Sequence, residues 1–141
     1  MDWGDMPVLF SESENAIYIG CSGLTKIEIN TGKKIAFNED WPSDIKLNKD
    51  YIVCFEDLSS AWYDKTTLNK IGETDFKGLM GTTSLNYVSS SQGGERCLLY
   101  DNDTHSFIVC DVFHKSVIRT IQTTSGQRSI SGNGKIFITV R

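Results

Sequence analysis

Two histidines, four cysteines and a set of acidic loops are the side chains of this 141-residue chain whose types could carry chemistry. His105 and His114 stand nine residues apart, on either side of one predicted strand. A metal pair needs both on one face with thiolate or carboxylate support. Neither has a companion at such a spacing, so both read as exposed loop residues. Gly20-Cys21-Ser22-Gly23 falls one residue short of the Gly-x-Ser-x-Gly nucleophile elbow, and no helix follows it. A turn at a strand end accounts for it. Asp101-Asn102-Asp103 opens like a calcium loop, but the required glycine at position six is Ser106 and the glutamate at twelve is Val112. Asn102-Asp103-Thr104 is a formal glycosylation sequon, which has meaning only after secretion. Gly93-Gly94 belongs to no phosphate-binding pattern. No catalytic residue, cofactor or metal is expected.

Cys21, Cys54, Cys97 and Cys110 all fall within or at the end of predicted strands, and none forms a Cys-x-x-Cys pair. All four are expected to be buried, free thiols of a reducing compartment. A disulfide between neighbouring repeats is the alternative.

The elements that position these residues repeat. Ile17-Tyr18-Ile19, Tyr51-Ile52-Val53, Leu98-Leu99-Tyr100 and Ile136-Phe137-Ile138 are short apolar runs rich in β-branched and aromatic residues, with centres 34, 47 and 38 residues apart. A polar residue follows each of the first three centres by twelve positions: Asn30, Asp64 and Asp111. Around each landmark the chain divides into four strands. First strands read as Pro7 to Phe10, Asp44 to Leu47, Ser84 to Val88 and Arg128 to Ser131. Third strands read as Leu24 to Ile29, Ser60 to Tyr63 and Ser106 to Cys110. Fourth strands read as Lys34 to Phe37, Lys70 to Glu73 and Val117 to Ile121. Ser131-Gly132-Asn133-Gly134-Lys135 is a hairpin signal, because Asn-Gly suits the primed turns. No apolar pattern of helical period runs for ten residues. The expected fold is all-β: a propeller-like array of four-stranded antiparallel meanders, three blades plus a half blade, forming one domain over residues 1–141.

Ser131 to Ile138, and Leu24 to Ile35 with its Lys26-Ile27-Glu28-Ile29-Asn30-Thr31-Gly32-Lys33 stretch, resemble β-propeller blades of the WD-repeat and YVTN type. The resemblance implies a propeller-like meander over nearly the whole chain. The Trp-Asp dipeptide and the Gly-His pair of WD blades are absent, so their hydrogen-bonded tetrad is not implied.

Apolar residues at 39% and charged residues at 23% fit a folded domain, and no apolar run approaches the roughly 20 residues that cross a bilayer. The acidic start, Met1 to Asp5, is no secretory signal. A net charge of −4 with scattered Lys and Arg argues against nucleic acid. A cytoplasmic, non-enzymatic protein is expected. Its function is expected in loops on one rim: Asn38 to Pro42, Glu56 to Leu58, Thr74 to Met80 and Asp101 to His105. Aromatic anchors in polar surroundings mark protein-binding surfaces. The candidate partner-binding residues are Asp40, Trp41, Asp57, Phe76, Asp101 and Asp103, although Trp41 and Phe76 also suit gaps between blades. Two alternatives stay open: a small inhibitor or immunity-type protein that blocks a basic partner, and an enzyme with an axial pocket. An open arc of three and a half blades exposes apolar blade faces. A homodimer, or a remainder of the same polypeptide, is expected to cover faces including Val8, Phe10, Ile130, Phe137 and Ile138. That seam is isologous if two copies meet about a two-fold axis.

Overall fold

The computed structural model describes residues 6–123, 128–130 and 136–138. Three four-stranded antiparallel meanders follow one another along the chain. Blade 1 comprises β1 (Val8–Ser11), β2 (Ala16–Gly20), β3 (Leu24–Glu28) and β4 (Lys34–Asn38). Blade 2 comprises β5 (Asp44–Leu47), β6 (Tyr51–Glu56), β7 (Ser59–Asp64) and β8 (Lys70–Asp75). Blade 3 comprises β9 (Leu85–Ser90), β10 (Arg96–Asp101), β11 (Ser106–Asp111) and β12 (Ser116–Gln122). A separate hairpin pairs β13 (Arg128–Ile130) with β14 (Ile136–Ile138). The seam residues Ile130, Phe137 and Ile138 belong to this hairpin, and their side chains lie outside the described residues.

Pairing registers show that the blades are true repeats. Ala16 faces Glu28, Tyr51 faces Asp64 and Arg96 faces Asp111 at the same place in each second–third strand pair. Counted from there, each third–fourth pair slips register at one equivalent step: Lys26/Ile27, Trp62/Tyr63 and Val109/Cys110. Such a bulge adds twist at a sheet's outer side. Four residues beyond the anchor, Gly32, Leu68 and Lys115 all take a positive φ. Only the first is glycine. Leu68 accepts that conformation while its side chain is fully buried between blades 1 and 2.

Two expectations are corrected by these registers. Asn30 does not close the third strand; β3 ends at Glu28, which is the counterpart of Asp64 and Asp111, and Asn30 lies in the turn beyond. The fixed offset of twelve is not structural, because the second-to-third turns differ in length: 21–23, 57–58 and 102–105. The stretch from Thr74 to Met80 is not a loop. β8 runs on to Asp75, and a five-residue helix, α1 (Phe76–Met80), follows. The Asp75 side chain caps it by accepting from the Lys77 N–H, and Gly81, at φ 71°, ends it in the left-handed region.

Among the described residues the core is two seams. Between blades 1 and 2 lie Ala16, Tyr18, Leu24, Ile45, Ile52, Cys54, Tyr63 and Leu68. Between blades 2 and 3, Val53, Phe55 and Trp62 meet Leu85, Cys97, Leu99, Ile108 and Cys110. The inner strands of blade 2 thus send alternate residues to blade 1 and to blade 3, as the two-residue period requires. Cys54, Cys97 and Cys110 are buried in these seams. Cys21 is exposed, contrary to expectation, because it sits in the β2–β3 turn beyond the last paired residue.

Candidate protein-binding cleft

The connection from β4 to β5 crosses the face that blade 2 turns toward blade 1. Asn38 anchors its start: the side-chain amide donates to the Leu68 carbonyl at 2.8 Å, and its oxygen accepts from the Asp40 N–H at 3.0 Å. Ser43 fixes its end, with the N–H and the hydroxyl both donating to the Phe55 carbonyl at 2.9 Å. Pro42 is buried against Gly20, where a Cβ would approach the Pro7 and Pro42 rings at 2.8 and 2.9 Å. Only glycine lets β2 come that close to the connection.

Held this way, the connection roofs a cleft of about 210 Å³ lined by Asp40, Pro42, Cys54, Glu56, Ser59, Ala61, Tyr63, Lys70 and Glu73. A shallower groove of about 580 Å³ continues past Asp40 and Lys70 along Phe37, Asn38 and Glu39. Three carboxylates face one ammonium in the cleft. Tyr63 Oη donates to Asp40 Oδ2 at 2.6 Å, and Lys70 Nζ lies 3.5 Å from the same oxygen and 3.1 Å from Glu73 Oε2. Burial and the nearby carboxylates act together on the neighbouring groups. Burial and then the Asp40 bond push the Tyr63 phenol up. The Cys54 thiol is pushed up by burial first and by Asp40, Asp44 and Glu56 after it. The Glu73 hydrogen bond, followed by Asp40, raises the Lys70 ammonium. Cys54 is therefore protonated and Tyr63 is committed to Asp40. The lining carries more carboxylates than ammonium groups and is net acidic.

Trp41 stands between two lining residues, Asp40 and Pro42, with 61% of its surface exposed. An exposed indole on the connection that roofs an acidic cleft offers both apolar contact and a face for a cation.

The other candidates lie elsewhere. Asp57 is exposed at the β6–β7 turn and pairs with Lys77 Nζ at 3.7 Å. Phe76 is only 1% exposed and belongs to the seam between blades 2 and 3, so it plugs a gap and presents nothing to a partner. Asp101 is buried and shapes the β10–β11 turn: Oδ1 accepts from Ser84 Oγ at 2.7 Å and from the Asp103 N–H at 2.9 Å. The Ser84 hydroxyl bond holds its carboxyl below the usual range. Asp103 is exposed in that turn. The structure brings Asp40 together with Glu56, Tyr63, Lys70 and Glu73, which sequence reasoning did not choose, and leaves Trp41 exposed on the connection above them. Their positions, 40, 56, 63, 70 and 73, share no spacing; the blade seam alone unites them. Among the described residues no group of three or more His, Cys, Asp or Glu side chains is placed to hold a metal ion, and no helix is long and apolar enough to cross a membrane.

Four-stranded meanders stacked through alternate faces define a β-propeller arc, and solved structures agree. The β-propeller domain of Cps50 (Swd1) from Myceliophteria thermophila superposes with a TM-score of 0.62 at 12% identity, covering 86% of this chain and 42% of that one. Hydrazine synthase of Kuenenia stuttgartiensis gives 0.54 at 17% identity, covering 92% and 41%. BamB from Moraxella catarrhalis gives 0.51 at 14% identity, covering 86% and 35%. The chain thus spans about two fifths of the propeller proteins it resembles. At these identities the likeness shows the fold alone. No protein-family model and no curated protein matches the sequence.

Proposed function

We propose that this chain is a non-enzymatic protein-binding module that grips a basic, extended segment of a partner protein. The observation that carries the reading is a cleft in which Asp40, Glu56 and Glu73 outnumber Lys70, roofed by a connection that exposes Trp41. Interface hot spots combine a large aromatic with a pocket beside it, and complementary charge sets which partner is drawn in. The groove running from Phe37 to Glu56 suits an extended backbone, with a lysine or arginine entering the cleft. The module is proposed to act in a reducing, cytoplasmic setting and as a homodimer.

An array of basic, neutral and acidic peptides probed with the purified chain tests this. Selective binding of basic peptides is expected, weakened at least tenfold by Trp41→Ala and by Glu56→Gln, and falling with added salt. Binding that ignores peptide charge, or that survives both substitutions, would overturn the reading.

A further inference from the structure

We infer that the uncovered face of blade 1 is where a second copy of this chain docks, so that two arcs close into one ring. The inference rests on the homodimer in the proposed function and specifies its surface. The argument is one of equivalent positions. Counted from Glu28, Asp64 and Asp111, the second-strand residues Ile52 and Cys54 of blade 2 correspond to Cys97 and Leu99 of blade 3. All four are buried by the preceding blade. Their counterparts in blade 1 are Ile17 and Ile19, equally apolar but only half-buried. The pattern extends to the first strand. Ile45 pairs with Cys54 and is 2% exposed, whereas its counterpart Val8 pairs with Ile19 and is 44% exposed. Phe10, paired with Ile17, is 68% exposed.

On its first and second strands blade 1 therefore carries the apolar face that blades 2 and 3 use to receive a blade, and no described element covers it. A complementary surface is a β-propeller blade, because that is what covers this face twice within the chain. A second copy supplies one. Size agrees: one chain matches 42% of a propeller domain, so two fill most of a ring of that kind. Head-to-tail docking of two arcs about a two-fold axis along the ring buries both open ends at once, and each copy gives and receives the same contacts.

Light scattering coupled to size exclusion, run over a hundredfold concentration range, tests the inference with three chains. The unmodified chain is expected as a closed dimer. Phe10→Asp, a change at an exposed position that leaves circular dichroism unchanged, is expected as a monomer, with dimer affinity reduced at least a hundredfold. Ile118→Asp, on the exposed outer strand of blade 3, is expected to remain dimeric. A dimer unaffected by Phe10→Asp would overturn the seam and leave the homodimer standing. A monomeric unmodified chain would overturn both, and oligomers that keep growing with concentration would overturn closure by two copies.

Discussion

Both seams have buried cores, but the connection closes over the seam between blades 2 and 3, whereas beside the seam between blades 1 and 2 it leaves an open cleft. Between blades 2 and 3, Phe55 stacks on Tyr87 with centroids 5.1 Å apart, and Trp62 meets Phe113 edge-on at 4.9 Å. Thr74 Oγ1 donates to the Val112 carbonyl at 2.7 Å, and α1 drives Phe76 into the remaining gap. Between blades 1 and 2 the connection has no helix. It carries Trp41 outward and leaves beneath it a polar cleft in which Tyr63 and Lys70 share one carboxylate. The two connections occupy the same place in the repeat, yet one aromatic is buried and the other exposed. A buried aromatic there is explained by stability. An exposed one in an acidic setting is not, which is why the binding proposal is placed at the first seam.

The largest expected effect separates the two aromatics directly. Phe76→Ala removes a fully buried ring and is expected to cost about 3–5 kcal/mol in denaturant unfolding. Trp41→Ala is expected to fall within about 0.5 kcal/mol of the unmodified chain. Similar losses from both would erase the distinction between the seams.

Tyr63→Phe comes next. It removes a hydrogen bond to a carboxylate and is expected to cost about 1.5–3 kcal/mol, less any gain from hydrating the half-exposed Asp40. No measurable loss would mean that Asp40 does not hold the roof of the cleft.

Acid should act on blade 3 through Asp101. The Ser84 bond depresses the carboxyl of Asp101 in the folded chain. A depressed folded pKa contributes stability that is present above the ordinary carboxylate pKa, about 3.9, and is lost as pH falls through the folded value. Urea midpoints should therefore drop below about pH 4, and Asp101→Asn should flatten that part of the profile. An unchanged slope in the variant would remove Asp101 from the account.

The smallest effect is chemical. A maleimide reagent should label Cys21 in the native chain, and Cys54, Cys97 and Cys110 only after unfolding. Rapid native labelling of more than one thiol would show a seam looser than described.

Blades were legible because strand period and turn chemistry are local signals. The runs at Ile17, Tyr51 and Leu98, with polar turns between them, expose the meander without any tertiary information. What escaped depended on tertiary neighbours. Phe76 follows a strand and has the composition of an interface anchor; only blade 3 beside it decides that it is buried. Cys21 looked like its buried counterparts until the length of the β2–β3 turn placed it past the pairing. Asp40 and Trp41 were visible as an acidic–aromatic pair. Their companions Tyr63, Lys70 and Glu73 were not, because strand alternation assigns them a face without saying which connection crosses it.

The claim that the cleft beside the first seam is the binding surface is tested most directly by chemical-shift mapping. Nitrogen-15-labelled chain would be titrated with a basic peptide chosen from the array. Shifts clustered at Phe37 to Ser43, Glu56 to Ser59 and Lys70 to Glu73, and abolished in Trp41→Ala, are the predicted result. Shifts centred on the blade 3 turn at Asn102 to His105, or spread evenly over the acidic surface, would contradict it.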